Sequence, residues 1–180
     1  MRRRLFKNLL GAPCTEPVDA AAHAALEDCG ERLRGAIALR LGRSIAIREV
    51  DAGSCNGCEL EIHALANAFY DVERFGIRFV ASPRHADVLL VTGPVTHNMR
   101  EALERTYAAV PAPKWVIAVG DCGAGCGVLA ESYACVGAVE KVLPVDLVIR
   151  GCPPTPLQLL EGLLRLLEGA SVVDVKHRMR

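Results

Sequence analysis

Three apolar runs in this 180-residue chain end in glycine and then, within two residues, cysteine: IAIREVDAGSC, WVIAVGDC and VDLVIRGC. Short apolar runs closed by turn residues suit strands buried in a parallel sheet. Helical patterns stand between them, and strand alternating with helix predicts a doubly wound α/β sheet. In an open sheet of that kind, ligands bind outside the carboxyl ends of the strands. Three thiol-bearing loops are therefore expected to converge on one edge, and that expectation constrains every other reading of the chain.

The element pattern is legible along most of the sequence. Residues 18–41 suit an amphipathic helix weakened by Gly30 and Gly35, and SIAIREVDAG reads as a strand over 45–50 with a glycine exit. ELEIHALANAFY places Leu60, Ala64, Leu65, Ala68 and Phe69 on one helical face. Strands are expected over 77–82 and 87–92, a helix through NMREALERTYAAV, and further strands at WVIAVGD and over 145–151. The SPRHA link is too short for a parallel crossover, so its two flanking strands are expected on either side of the first strand. In the last helix Thr155 caps, Pro156 takes the first position, Gln158 completes a capping box and Gly169 ends it. Its stripe is Leu157, Leu160, Leu164 and Leu167.

Twenty-one basic residues balance twenty-one acidic ones, so no overall field directs the chain to nucleic acid. Charge is uneven all the same: MRRRLFKNLL and VKHRMR are basic ends, read here as solvated. No apolar run is long enough for a membrane span. RRLFK has the look of a twin-arginine signal but lacks the apolar stretch behind it, so a cytosolic setting is expected.

Eight cysteines are many for that setting, where disulfides are rare, so metal or redox chemistry is expected of some of them. SCNGCELE joins Cys55 and Cys58 as a C-x2-C pair, and GDCGAGC adds Cys122. Cys126 and Cys152 remain alternatives for a fourth place. Four thiolates there make either structural zinc or a four-iron, four-sulfur cluster. Zinc usually takes two C-x2-C units, whereas the second close pair here is C-x3-C, which favours the cluster. A redox thiol pair and plain burial stay open, and a catalytic cysteine lacks a placed histidine. Gly53, Gly57, Gly123 and Gly151 are expected to give backbone access to a bulky inorganic core. Cys14, Cys29 and Cys135 read as buried or free thiols.

With these residues assembled, the chain resembles the small electron-transfer subunit of nickel–iron hydrogenases and the homologous B subunit of respiratory complex I. SCNGCELE, SPRHADVLLVTG, GDCGAGCG and VLPVDLVIRGCPPTPLQLLEGLL carry the likeness, over 45–168. It implies a flavodoxin-like α/β domain with an N-terminal helical extension and one [4Fe–4S] cluster on Cys55, Cys58, Cys122 and Cys152. That choice sets Cys126 at a family glycine position. The implied division is a basic then helical extension over 1–43, the iron–sulfur domain over 44–170 and a basic tail over 171–180.

The C-x2-C pair is similar to hydrogenase small subunits, whereas the complex I type has two adjacent cysteines. The likeness implies the membrane-associated formate hydrogenlyase and hydrogenase-4 type, cytoplasmic and held at the inner membrane by other subunits. Partners expected on that basis are a hydrogenase-type large subunit and ferredoxin-like and membrane subunits. Nickel would sit in the large subunit, and a complex I-like relay to quinone is the alternative. Arg150 and Asp121 are expected to tune the cluster, Glu59 and Glu61 to be solvated carboxylates rather than proton carriers, and Arg84 and His85 to face a subunit interface or solvent.

Overall fold

The computed structural model describes Gly11 and residues 19–129 and 131–169; the basic ends and Cys14 lie outside the described residues. Five parallel strands form the main sheet: β1 (Ile45–Asp51), β2 (Ile77–Phe79), β3 (Val88–Thr92), β5 (Trp115–Val119) and β7 (Leu147–Ile149), in the order β2-β1-β3-β5-β7. Counted among the parallel strands alone this is the flavodoxin-like order, with the switch point between β1 and β3. The strands flanking SPRHA do lie on either side of β1, pairing Ile47 with Phe79 and with Val88. Two strands the sequence pattern does not suggest, β4 (Val95–Thr96) and β6 (Cys135–Gly137), form a small antiparallel ribbon beyond the sheet edge.

The apolar runs are buried on both faces, and successive residues divide between two cores. Val88, Leu90, Ile117 and Val119 face one layer; Leu89, Val91, Val116 and Ala118 face the other. The first layer is covered by α1 (Ala20–Leu41), α2 (Gly57–Ala64) and α5 (Pro156–Glu168), the second by α3 (His97–Ala109) and the segment around Val139 and Leu143. Helix α1 lies along α5 and inserts Leu26, Cys29, Leu33 and Ile37 into the first core. Gly30 weakens the helix by propensity but lets the Phe75 ring rest against its backbone, where any Cβ would collide. The cap at α5 is as expected: Thr155 Oγ1 accepts from Gln158 N, and Gly169 closes the helix in the left-handed region at φ 84°.

Two expectations fail in the segment after β1. Helix α2 stops at Ala64, so the face drawn through Phe69 does not form; Leu60 is 61% and Phe69 41% exposed, while Ile62 and Leu65 are buried. The apolar residues over 60–69 are spaced for a longer helix, but two tight turns follow Ala64 and bring Val72 and Phe75 into the core instead. Strand β2 also ends early, at Phe79, with one further bond from Val80 N to Ile47 O at 2.9 Å.

Asp87 ties the front of the sheet. Its Oδ2 accepts from Ala46 N at 2.9 Å and from Arg43 Nη1 at 2.8 Å, and its own N–H donates to Ala46 O at 2.8 Å. Burial pushes this carboxyl up, but the Arg43 and Ala46 hydrogen bonds, with the Arg43 and Arg78 charges, outweigh it and hold it below the ordinary value. A depressed folded value means stability that is present above the unfolded pKa, about 3.9, and lost as pH falls through the folded one. Asp87→Ala is expected to cost about 1–3 kcal/mol at pH 7, because it orphans the Ala46 N–H. Urea denaturation should show that the gap between the two proteins narrows below about pH 4; a constant gap, or none, refutes the assignment.

A four-thiol edge at the switch point

The loop after β1 is built by Asp51. Its Oδ1 accepts from Gly53 N at 2.8 Å and from Ser54 N at 2.7 Å, an Asx turn that reverses the chain directly off the strand. Ser54 Oγ then accepts from Asn56 N at 3.0 Å. Asn56, not Gly57, takes the left-handed conformation, at φ 70°, and α2 begins at the next residue. Asparagine tolerates that region through its short polar side chain. Cys55 is thereby exposed on the loop and Cys58 half-buried on the first turn of α2.

The second and third loops are tied to each other by Asp121. Its N–H donates to Gly151 O at 2.8 Å, and its Oδ1 accepts from Arg150 Nε at 2.6 Å and Gly151 N at 3.2 Å. This bridge holds the one-turn helix α4 (Gly120–Gly123), with half-buried Cys122, beside exposed Cys152. Asp121 and Arg150, expected from the sequence only as charges near the cysteines, form an ion pair across two loops.

The three loops meet. A methyl group placed at Gly120 would stand 2.7 Å from Cys58 Sγ and 3.5 Å from Gly151 O, so the first loop touches the other two there. At Gly57 it would stand 3.5 Å from Cys55 Sγ and 3.9 Å from the Pro153 ring. Gly120 is also left-handed, at φ 82°, so it is glycine on two counts. Gly127 closes similarly on Cys122 Sγ. The glycines that shape the site are thus Gly120 and Gly127 more than Gly57 and Gly123, whose added methyl groups would meet only ordinary contacts. A signal existed for Gly120: it is the last residue of a buried apolar run before a thiol loop.

Burial pushes the Cys58 thiol up to about 12, and the charges of Glu59, Cys55, Cys122 and Cys152 push in the same direction. Burial also raises Cys122, a hydrogen bond from the Leu129 backbone lowers it, and Cys152 and Cys55 raise it further. Cys55 and Cys152 therefore stand near enough to both half-buried thiols to act on their ionisation. Cys126 is engaged elsewhere. Its thiol donates to Asp121 O at 3.5 Å, and it shares the Arg150 guanidinium with Asp121. Among the described residues, no three His, Cys, Asp or Glu side chains gather tightly enough to hold a single metal ion. A thiol that burial keeps protonated binds a metal only by releasing its proton.

The remaining candidates fall elsewhere. Cys29 is buried in the first core, 6% exposed, and Cys135 is half-buried on β6. Arg84 and His85 are exposed on a 3-10 turn at Pro83–His85, away from the thiols at the amino end of β3. Glu61 is half-buried. Glu59 departs from expectation: it is 6% exposed, and its carboxylate is not solvated. Sequence position alone favours an exposed acid at a helix start, but the turn off Asn56 rotates this one inward.

A flavodoxin-like α/β domain with thiols from three loops at its switch point defines the class. Over residues 55–166 the chain matches the family described as NADH ubiquinone oxidoreductase, 20 Kd subunit, and it belongs to that family. It is 47% identical to the probable membrane-bound hydrogenase subunit mbhJ of Pyrococcus furiosus, over 71% of this chain and 77% of that one. It is 45% identical to formate hydrogenlyase subunit 7 of Escherichia coli, over 72% of this chain and 51% of that longer one. A solved structure of the membrane-bound sulfane sulfur reductase, an archaeal respiratory membrane complex, contains a chain 34% identical to it. That chain superposes with a TM-score of 0.62 over 76% of this chain and 78% of its own length. The family is one of oxidoreductase-complex subunits. No helix among the described residues is long and apolar enough to cross a membrane.

Gly120→Ala is expected to lower stability by at least about 1 kcal/mol, from the left-handed backbone alone, and to displace Cys58. Chemical denaturation, with thiol-alkylation rates at Cys58, reads both effects. An unchanged midpoint with unchanged Cys58 reactivity would refute the close approach.

Proposed function

We propose that the chain is an electron-transfer subunit in which Cys55, Cys58, Cys122 and Cys152 hold one [4Fe–4S] cluster. Single electrons would pass through it to or from the catalytic site of a hydrogenase-type large subunit. The observation that carries this reading is that three loops bring Cys55, Cys58, Cys122 and Cys152 to one rim, where Cys58 Sγ closes on Gly120 and Cys55 Sγ lies against Gly57 beside Pro153. Zinc sites usually pair two C-x2-C units, and this chain has one. The glycine-lined approaches at Gly120 and Gly127 leave backbone rather than side chain against the sulfurs. The donor set fits: four thiols from three loops.

A cluster held there would supply one-electron transfer at a potential set by its surroundings. The chain's own residues do the rest. Cys58 and Cys122, half-buried, would limit water at the inner side of the site, while Cys55 and Cys152, exposed, would place its outer side against a partner. The Arg150–Asp121 pair fixes the two later loops relative to one another and sets a dipole beside the sulfurs. Cys126, engaged with Asp121 O and Arg150, would stand outside the ligand set. Attachment at the cytoplasmic face of a membrane would come through partner subunits, ferredoxin-like and membrane-embedded; the name of one relative, a membrane-bound hydrogenase subunit, supports the membrane setting.

A second reading keeps the cluster and delivers the electrons to quinone, without nickel. The family's description, an NADH ubiquinone oxidoreductase subunit, favours it; the C-x2-C pair and the hydrogenase names of the relatives favour hydrogen chemistry. The large subunit that co-purifies decides: two C-x2-C pairs in it mean nickel.

Anaerobically purified chain is expected to be brown, absorbing near 400 nm, with about four irons and four acid-labile sulfides. About one zinc and no sulfide would overturn the proposal. Cys152→Ser is expected to lose the chromophore and most of the iron, and Cys126→Ser to keep both. The reverse pattern would move the fourth ligand to Cys126.

A further inference from the structure

Glu59 is 6% exposed, and neither of its carboxylate oxygens has a hydrogen-bond partner. On the neighbouring strand, Glu49 Oε1 is likewise buried without a partner, while its Oε2 lies 3.9 Å from His63 Nε2. Both residues line one cavity of about 660 Å³, together with Ile47, Ile62 and Phe79, and His63 is exposed beside it. Arg48 lines the same cavity but bonds to neither carboxylate, and its Nε is also unpartnered. Burial raises Glu49, the His63 charge lowers it, the Glu59 charge raises it again, the Arg48 charge lowers it and Asp51 raises it, so Glu59 stands close enough to act on Glu49.

Three buried carboxylate oxygens without a donor destabilise a fold. Each such group calls for an explanation, and a donor that arrives from outside is one. A single metal ion is not the answer, since no three donors here gather around one point. An apolar ligand would leave all three oxygens bare. A side chain with an aliphatic stem and a cationic head satisfies both halves of the cavity.

We propose that this cavity receives a lysine or arginine side chain from a partner subunit, its stem along Ile47, Ile62 and Phe79 and its charge on Glu59 and Glu49. Glu59 directly follows Cys58, so a partner engaged here sits against the same sheet edge as the four thiols. The inference rests on the reading that the chain works within a complex; it does not depend on what the thiols hold.

The test is the assembled complex, isolated through a tag on this full-length chain, with release of the large subunit followed as sodium chloride is raised. Glu59→Gln and Glu49→Gln keep the shape and remove the charge. Each is expected to weaken retention at least tenfold, and the two together by less than the product of the single effects, because one cation serves both. The isolated Glu59→Gln chain is expected to melt at the same or a higher temperature than wild type, since the buried carboxyl it replaces has no hydrogen-bond partner to lose. Its iron and sulfide content is expected to be unchanged. Retention unchanged in both variants overturns the docking proposal. So does a lower melting temperature with iron loss, which would make Glu59 a support of the thiol site. If the wild-type chain retains no large subunit at all, the complex reading fails instead, and the two failures are distinguishable.

Discussion

Everything at the working edge follows from five strands running the same way. Parallel strands put all their carboxyl ends on one side, so every loop leaving a strand is delivered to the same rim. The order β2-β1-β3-β5-β7 adds a gap at that rim, because the chain leaves β1 and β3 in opposite directions. Into that gap Asp51 turns the Cys55–Cys58 loop. Asp121 locks the other two thiol loops into one unit by accepting from Arg150 and Gly151. Two carboxylates, each bonded to backbone N–H groups, thus convert a topological accident into a defined cavity wall.

The stability of the molecule and its chemistry occupy different halves. Away from the rim the interior is satisfied: two apolar layers, a capped α5, and the Asp87 bond to Ala46 and Arg43 at the opposite end of the strands. At the rim the same physics is violated locally. Burial pushes the Cys58 thiol well up, and three carboxylate oxygens, both of Glu59 and one of Glu49, are buried without donors. Unmet polar demands of this kind destabilise an isolated chain, and the large core on either side of the sheet offsets them. Their confinement to one edge is what makes that edge, rather than the exposed Arg84–His85 turn, the candidate working face.

Cys126 shows how little sequence distance says about such a site. It lies four residues from Cys122, close enough to compete with Cys152 for the last place. In the folded chain the turn after α4 sends it back onto the Asp121 carbonyl and the Arg150 guanidinium, while Cys152, thirty residues from Cys122, acts directly on Cys58 and Cys122.

The amino-acid sequence by itself determined the parallel α/β class, because apolar runs such as WVIAV and VLLVT admit burial on both faces and little else. It also determined that thiols follow three of those strands, and the cap that starts α5, since these depend on residues within a turn of one another. Tertiary structure decided the rest. That α2 ends at Ala64 depends on where Val72 and Phe75 find the core; that Gly30 is a seat for Phe75 depends on a contact forty-five residues away. Whether Glu59 meets water was set by the angle at which α2 leaves Asn56 against β1. Local pattern carries the period of an element. The direction in which a given side chain finally faces is fixed only when the elements pack, because burial is a property of neighbours that the sequence does not place side by side.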